Sequence, residues 1–319
     1  GMTDKTTQHH DAPLGADWEL NHVGLMVTNR DAVLSHFQKL GVGVSVGPQP
    51  LLPHEDGEGS LMFYRTLEGD PVTNTYPTGG AHNFRDGECQ IGNCQLEVYP
   101  MRPGPGIFIS EYLDAKGPGI NHICFNTADL EAETEMLLAK DCPLTFDARV
   151  NGRTVENYLD TRNHGDVMIS LRPPATPWEK AWKANNEAHP LVRDWSFLGL
   201  GIAVADVDAS VAYYEGLGFQ ADGDAAEDTA LGIRRRAVRV GPLSFEFAEA
   251  LADGSVCADS LALRGDGVSD LGFAVADLAA EETRLEAQGA RVLRRSEDGR
   301  TLYMDTREEG NIMLRLVQQ

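Results

Sequence analysis

Basic residues are in short supply. The chain sets 27 Lys and Arg against 49 Asp and Glu, a formal net charge of -22. Such a balance argues against nucleic acid as a partner and against an anionic membrane surface. Long apolar runs are missing as well, and no stretch approaches the ~20 residues that a bilayer span requires. The opening GMTDKTTQHHDAPLG is polar and lacks the apolar centre of a secretory signal, so residues 1–16 read as a disordered lead. The five cysteines are odd in number and irregularly spaced, which favours reduced thiols and a cytoplasmic protein. Cys89 and Cys94 have no partner cysteines at zinc-site spacing. Most restrictive of all, no histidine follows His189. An imidazole-based metal site can therefore be built only from the first part of the chain.

What is there is an ordinary globular composition, 42% hydrophobic in 319 residues, long enough for two domains. The stretch that organises it is Gly117–Leu130, GPGINHICFNTADL. Residues 120–127 read as a strand followed by a helix. Strict alternation puts Ile123 and Phe125 towards a core, with Ile120, His122, Cys124 and Asn126 on the opposite face. A similar strand-then-helix passage occurs four times, and only some copies carry the histidine.

The first copy, at 18–29, places Val23, Leu25 and Val27 on one face and His22, Gly24 and Met26 on the other. Its helix, about 31–40, stops at Gly41. A strand near 61–66 and a long Gly/Pro-rich excursion, 67–92, precede a closing strand over 94–99. In that strand Leu96 and Val98 face the core and Gln95, Glu97 and Tyr99 face away. The second copy has its strand at 119–127, a helix at about 128–140, and strands near 145–150, 154–160 and 166–172. Residues 173–194 are bracketed by prolines around a Trp-bearing helix and read as a linker. The third and fourth copies begin at Ser196 and near 268, with helices over 207–217 and 277–289. Tyr158-Leu-Asp-Thr-Arg162 matches Tyr303-Met-Asp-Thr-Arg307, and Phe125-x-x-Ala-Asp-Leu130 matches Phe273-x-x-Ala-Asp-Leu278. The expected fold is α+β: four βαβββ modules paired into two domains, 17–173 and 195–319, joined by 174–194.

These modules, the strand-borne histidines and the Gly-x-Gly-Ile-x-His-Ile stretch resemble the vicinal oxygen chelate superfamily, which includes glyoxalases, extradiol dioxygenases and bleomycin-resistance proteins. Glu97-Val-Tyr-Pro100 and ISEYLDAKGPGINHICF are most similar to the methylmalonyl-CoA epimerase branch. The resemblance implies a metal cavity whose ligands come from the first and last strands of each module. Carried over, these are His22, Glu97 and His122, with Gln95 a weaker candidate and Ser170 where the family usually has Glu. The same positions later in the chain hold Gly199, Glu246, Asp270 and Arg315, a set without imidazole.

Two imidazoles and one carboxylate suit Fe, Mn, Co, Ni or Zn with positions left for substrate. Glu156, Tyr158 and Asp160 share the cavity face by alternation. Glu156 is the candidate replacement for the lost carboxylate, as fourth ligand or as a base raised by burial. Tyr158 and Ser170 complete the catalytic candidates, and Gln95, Cys124 and Met168 are candidate substrate contacts. His54, His82 and His164 fall in loops. The resemblance implies a divalent-metal enzyme acting on a small molecule through two neighbouring oxygens, an isomerase or lyase in the first instance. An Fe(II) extradiol-type dioxygenase is the alternative, and a non-catalytic binding protein is the third reading. The chain is expected as a monomer or homodimer.

Overall fold

Four times a strand hands over to a helix through one device. Asn29, Asp129, Asp206 and Asp277 each accept a hydrogen bond from the backbone N–H three residues on, at Ala32, Ala132, Ala209 and Ala280, over 3.0–3.1 Å. This satisfies a donor that the first helical turn would leave unpaired. The helices so started are α1 (Arg30–Lys39), α3 (Leu130–Leu138), α5 (Val207–Leu217) and α7 (Leu278–Ala287). The computed structural model describes residues 12–46, 49–50, 57–64, 72–78, 84–85, 88–104 and 106–319. His54, His82 and residues 1–11 lie outside the described residues.

Two large curled sheets carry the fold. The first contains β1 (Glu19–Val27), β2 (Val44–Val46), β4 (Gly57–Phe63), β5 (Val72–Thr78), β7 (Glu88–Ile91) and β8 (Cys94–Pro100). It also contains β9 (Gly119–Asn126), β10 (Leu144–Val150), β11 (Arg153–Leu159) and β12 (Met168–Arg172), in the order β2-β7-β8-β1-β9-β12-β11-β10-β4-β5. Short β3 (Gln49–Pro50) and β6 (Phe84–Arg85) pair separately. The second sheet comprises β13 (Ser196–Ala203), β14 (Gln220–Asp228), β15 (Ile233–Val240), β16 (Leu243–Ala250), β17 (Gly267–Val275), β18 (Arg291–Arg295), β19 (Thr301–Asp305) and β20 (Met313–Gln318). Its order is β14-β15-β16-β13-β17-β20-β19-β18. In both sheets the central pair is antiparallel, β1 on β9 and β13 on β17, and each member has a parallel neighbour outside it.

One apolar cluster runs through both sheets and the four capped helices. It joins Leu25, Ile123 and Phe125 to Phe245, Phe247 and Phe273. A separate cluster on the other face of the first sheet contains Phe63, Phe108, Phe146, Tyr158 and Met168. Helix α4 (Pro177–Glu187) is the expected Trp-bearing helix, and its Lys183 donates to the carbonyls of Leu20 and Asn21 at 2.8 and 2.5 Å.

The structure departs from strict alternation at two places that matter. Leu20 faces Phe125 while His22 faces Cys124, and Gly24 faces His122 while Leu25 faces Ile120. Asn21 and Asn121 are thus the extra residues of two β-bulges. The second bulge returns Ile120 to the core beside Ile123, contrary to simple alternation. Two joining helices, α2 (Phe108–Lys116) and α6 (Ala258–Arg264), and the edge strands β14 and β18 were not anticipated. In the expected lead, Leu14 is buried and its N–H donates to Gly218. Part of the excursion forms the β4–β5 hairpin, which extends the sheet beside β10 rather than beside its own neighbours in sequence.

Candidate metal centre

The bulges aim the histidines. At each one the extra asparagine precedes a histidine and takes its ring N–H: Asn21 Oδ1 lies 2.8 Å from His22 Nδ1, and Asn121 Oδ1 lies 2.7 Å from His122 Nδ1. On the first arm the proton can be placed by following the partners. Asn126 Nδ2 donates to the carbonyl of Pro173 at 2.8 Å, and a carbonyl can only accept. Asn126 Oδ1 is then the acceptor for Asn21 Nδ2 at 3.0 Å, which leaves Asn21 Oδ1 to face His22. His22 therefore carries a proton on Nδ1, and as a neutral ring it has its lone pair at Nε2.

That lone pair meets others. His22 Nε2 is 2.6 Å from Glu97 Oε2 and 3.2 Å from His122 Nε2. All three residues are buried, and their ligand atoms lie within 4.8 Å of one another. Burial is the largest influence on His22 and lowers its pKa, with Glu97 pulling the other way. Two imidazole nitrogens and a carboxylate oxygen, converging where all three side chains are buried, are the donor set of a divalent transition-metal site. The residues fit such an ion. Gly24 makes the approach possible, because a Cβ there would lie 1.9 Å from His122 Cε1.

Around this centre the Tyr158 hydroxyl lies 3.0 Å from His122 Nε2, with its pKa pushed well above the ordinary phenol value by burial and then by Glu156. Glu156, read from the sequence as a fourth ligand or base, has both oxygens engaged. Oε1 accepts from Ser170 Oγ at 3.0 Å, and Oε2 accepts from Arg172 Nε at 3.0 Å and Nη2 at 2.8 Å. It still belongs to a second cluster, His22–Cys124–Glu156, that satisfies the same proximity limit. Burial raises the Cys124 thiol to about 12, so it stays neutral. Gln95 is buried, with neither amide atom bonded among the described residues. Met168 pairs with His122 in register, and its sulfur accepts from Thr145 Oγ1 at 3.3 Å. Asp160 pairs with Arg162 at 2.8 Å and stands apart from the donor set. His164 stacks on Tyr213, ring centroids 4.6 Å apart.

Sequence reasoning missed Arg172, Asn21, Asn121 and Asn126. A signal for two of them was present: of the three Asn-His dipeptides, at 21–22, 121–122 and 163–164, the two that fall in strands carry the predicted ligands.

In the second sheet the equivalent register positions hold a different set. Asp270 pairs with Gly201 as His122 pairs with Gly24, and Glu246 pairs with Gly201 as Glu97 pairs with Gly24. Arg315 Nε donates to Asp270 Oδ1 at 2.7 Å, and Nη1 lies 3.4 Å from Glu246 Oε2. The remaining void there is about 10 Å³.

The family model for the glyoxalase/bleomycin resistance protein/dioxygenase superfamily matches residues 21–158 and 200–303. The chain belongs to this superfamily. Among solved structures it is similar to a variant of 4-hydroxymandelate synthase from Streptomyces coelicolor, at 14% identity over 96% of this chain and 93% of that one, TM-score 0.59. A fusion of a xylose isomerase-like TIM barrel with 4-hydroxyphenylpyruvate dioxygenase gives 15% identity over 97% of this chain and 50% of that one, TM-score 0.58. At those identities the likeness is one of fold. Methylmalonyl-CoA epimerase from Mycobacterium tuberculosis matches at 29% identity over 39% of this chain and 87% of that one, TM-score 0.35. Comparison with curated proteins finds no match. Among the described residues no helix is long and apolar enough to cross a membrane.

Proposed function

We propose that the chain is an Fe(II)-dependent oxygenase of this superfamily, acting on a small molecule that presents two neighbouring oxygens to an ion held by His22, Glu97 and His122. The observation that carries the reading is the donor set itself: two imidazoles and one carboxylate, with Ser170 at the position of a second carboxylate. A divalent ion held there supplies Lewis acidity and, as iron, access to oxygen chemistry.

The isomerase or lyase reading asks in addition for a side chain that moves a proton near neutral pH. The candidates are poorly suited to it. Glu156 is committed to Arg172 and Ser170, the Tyr158 and Cys124 acids are raised, and Lys183, lowered to about 8 by burial, donates to backbone carbonyls. The remaining groups serve binding. Tyr158 can donate to a substrate oxygen beside His122, and Gln95 offers an amide next to His22. Phe63, Phe108 and Phe146, packed with Tyr158, keep water from that side.

The test is an oxygen-electrode assay on Fe(II)-loaded protein with catechols and other vicinal-oxygen compounds. Oxygen uptake matched by ring or carbon–carbon cleavage is expected. Solvent-deuterium exchange into an α-hydroxy ketone or thioester under anaerobic conditions, with no oxygen uptake, would return the isomerase or lyase reading. Ligand binding unchanged in His22→Ala and His122→Ala would point to a binding protein.

A further inference from the structure

The two imidazole arms are not built alike. Asn21 cannot turn its amide, because Asn126 and the Pro173 carbonyl fix which end is the donor. Asn121 has no such anchor. Its Nδ2 is buried and without a hydrogen-bond partner among the described residues, in a side chain only 1% exposed. Turning that amide over would aim Nδ2–H at His122 Nδ1. The ring proton would then belong on Nε2, where the Tyr158 oxygen can accept it. In that state His122 has no lone pair to offer a metal.

Asn121 also borders a cleft of about 210 Å³ beside α2, with Phe108, Tyr112 and Met168 on its apolar walls. The charged groups around it are Lys116, Asp166, Glu111 and Arg162. Lys116 and Asp166 pair at 2.8 Å, and Glu111 accepts from the Gly106 N–H at 3.3 Å. Arg162 gives Nε and Nη2 to Asp160, leaving Nη1 unbonded among the described residues. One buried donor, the Asn121 amide, is therefore unanswered at this cleft, and beside it the partly exposed Arg162 has one guanidinium nitrogen without a bond to the described residues. A buried donor left so is costly.

We propose that this cleft binds a small apolar carboxylate whose oxygen accepts from Asn121 Nδ2, and so holds the amide in the orientation that presents His122 Nε2 to the metal. The proposal rests on the metal-centre reading above and gives that site a regulator or second substrate group of defined chemistry. The carboxylate answers Asn121 and Arg162, and the aromatic walls take the apolar body. The volume, below the ~300–1,000 Å³ of drug-sized pockets, limits the ligand to about the size of benzoate. Asn121 acts here through His122 and is a positioning residue.

Linkage provides the test. Zn²⁺ affinity is measured calorimetrically with and without saturating benzoate, on wild type, Asn121→Leu, Asn121→Asp and Arg162→Ala, with thermal melting of each metal-free protein as the folding control. In wild type, benzoate is expected to tighten Zn²⁺ by about tenfold, the lower end of what partners of metal ligands contribute. Zn²⁺ must then tighten benzoate by the same factor. Asn121→Leu should bind Zn²⁺ about tenfold more weakly than wild type and ignore benzoate. Asn121→Asp, which can only accept from His122, should keep Zn²⁺ affinity without benzoate, and Arg162→Ala should lose the benzoate effect alone. Wild-type Zn²⁺ affinity that is indifferent to benzoate overturns the proposal while leaving the metal centre standing. So does a benzoate effect that persists in Asn121→Leu. A wild type that binds no Zn²⁺ overturns the metal reading and this coupling together, and benzoate binding measured directly then shows whether the cleft is a site in its own right.

Discussion

At one register position the first sheet places His122 and the second places Asp270, each over a glycine whose Cβ would collide with it at 1.9 Å. Both are preceded by a bulge residue that steadies them, Asn121 through its amide and Ser269 through a 2.9 Å hydroxyl bond. The scaffolds agree; the charge plan differs. The first sheet gathers the donor atoms of His22, Glu97 and His122, with its own buried cation, Arg172, committed to Glu156. The second brings its own cation, Arg315, and spends it on Asp270 and Glu246. One half thus has the means to bind a metal, and the other has closed a similar cavity with a covalently attached positive charge.

Removing the resident cation should have the largest effect. Arg315→Met leaves Asp270 and Glu246 buried beside each other, and breaking such a pair costs about 3–5 kcal/mol, to be read by denaturant unfolding. Asp270 already lies above the usual carboxylate range because of burial, with Arg315 opposing. A carboxyl raised in the folded state favours folding at low pH and loses that advantage as pH rises through the folded value. The deficit of Arg315→Met is therefore expected to be widest near neutral pH and above, and to narrow on acidification. A deficit independent of pH would break the charge comparison.

On the other side, His22→Ala should weaken Zn²⁺ by more than about 100-fold, beyond what outer partners of metal ligands contribute. Metal-free stability should change much less, since the ring is replaced where no ion holds it. Equal losses in both measurements would mean that the imidazoles are merely packing. The glycines sharpen the contrast: Gly24→Ala should cost Zn²⁺ affinity as the His122 ring is displaced. Gly201→Ala should cost only stability, about 1–3 kcal/mol as for other overpacked sites. The smallest effect is in pH. His22 has a folded pKa below its ordinary value, so stability present above the ordinary imidazole range is lost as pH falls through it. Metal-free protein should melt lower at pH 5.5 than at pH 7.5, and His22→Gln should flatten part of that slope.

The four strand-to-helix passages were legible because alternation, the Asn or Asp caps and, after three of the four helices, a glycine stop agree locally. His22, Glu97 and His122 were legible as polar residues opposite the apolar face of their strands, and the structure brings the three side chains together. Strands β14 and β18 were not. QADGDAAED and RVLRR lie at sheet edges with little apolar alternation, and pairing rather than burial makes them strands. The β4–β5 hairpin joins β10 across some 80 residues, a choice that no local pattern encodes. Ile120 was misassigned because a bulge at Asn121 shifts the period by one. The pairing of Glu156 with Arg172 is a cross-strand contact between adjacent β11 and β12, and it came into view only with the register.

The most direct test of the account is elemental analysis of protein purified without chelators, for wild type, His122→Ala and Glu246→Gln. One equivalent of a divalent transition metal is expected in wild type and in Glu246→Gln, and none in His122→Ala. Two equivalents in wild type, or metal retained in His122→Ala, would contradict the assignment of the centre to the first sheet alone.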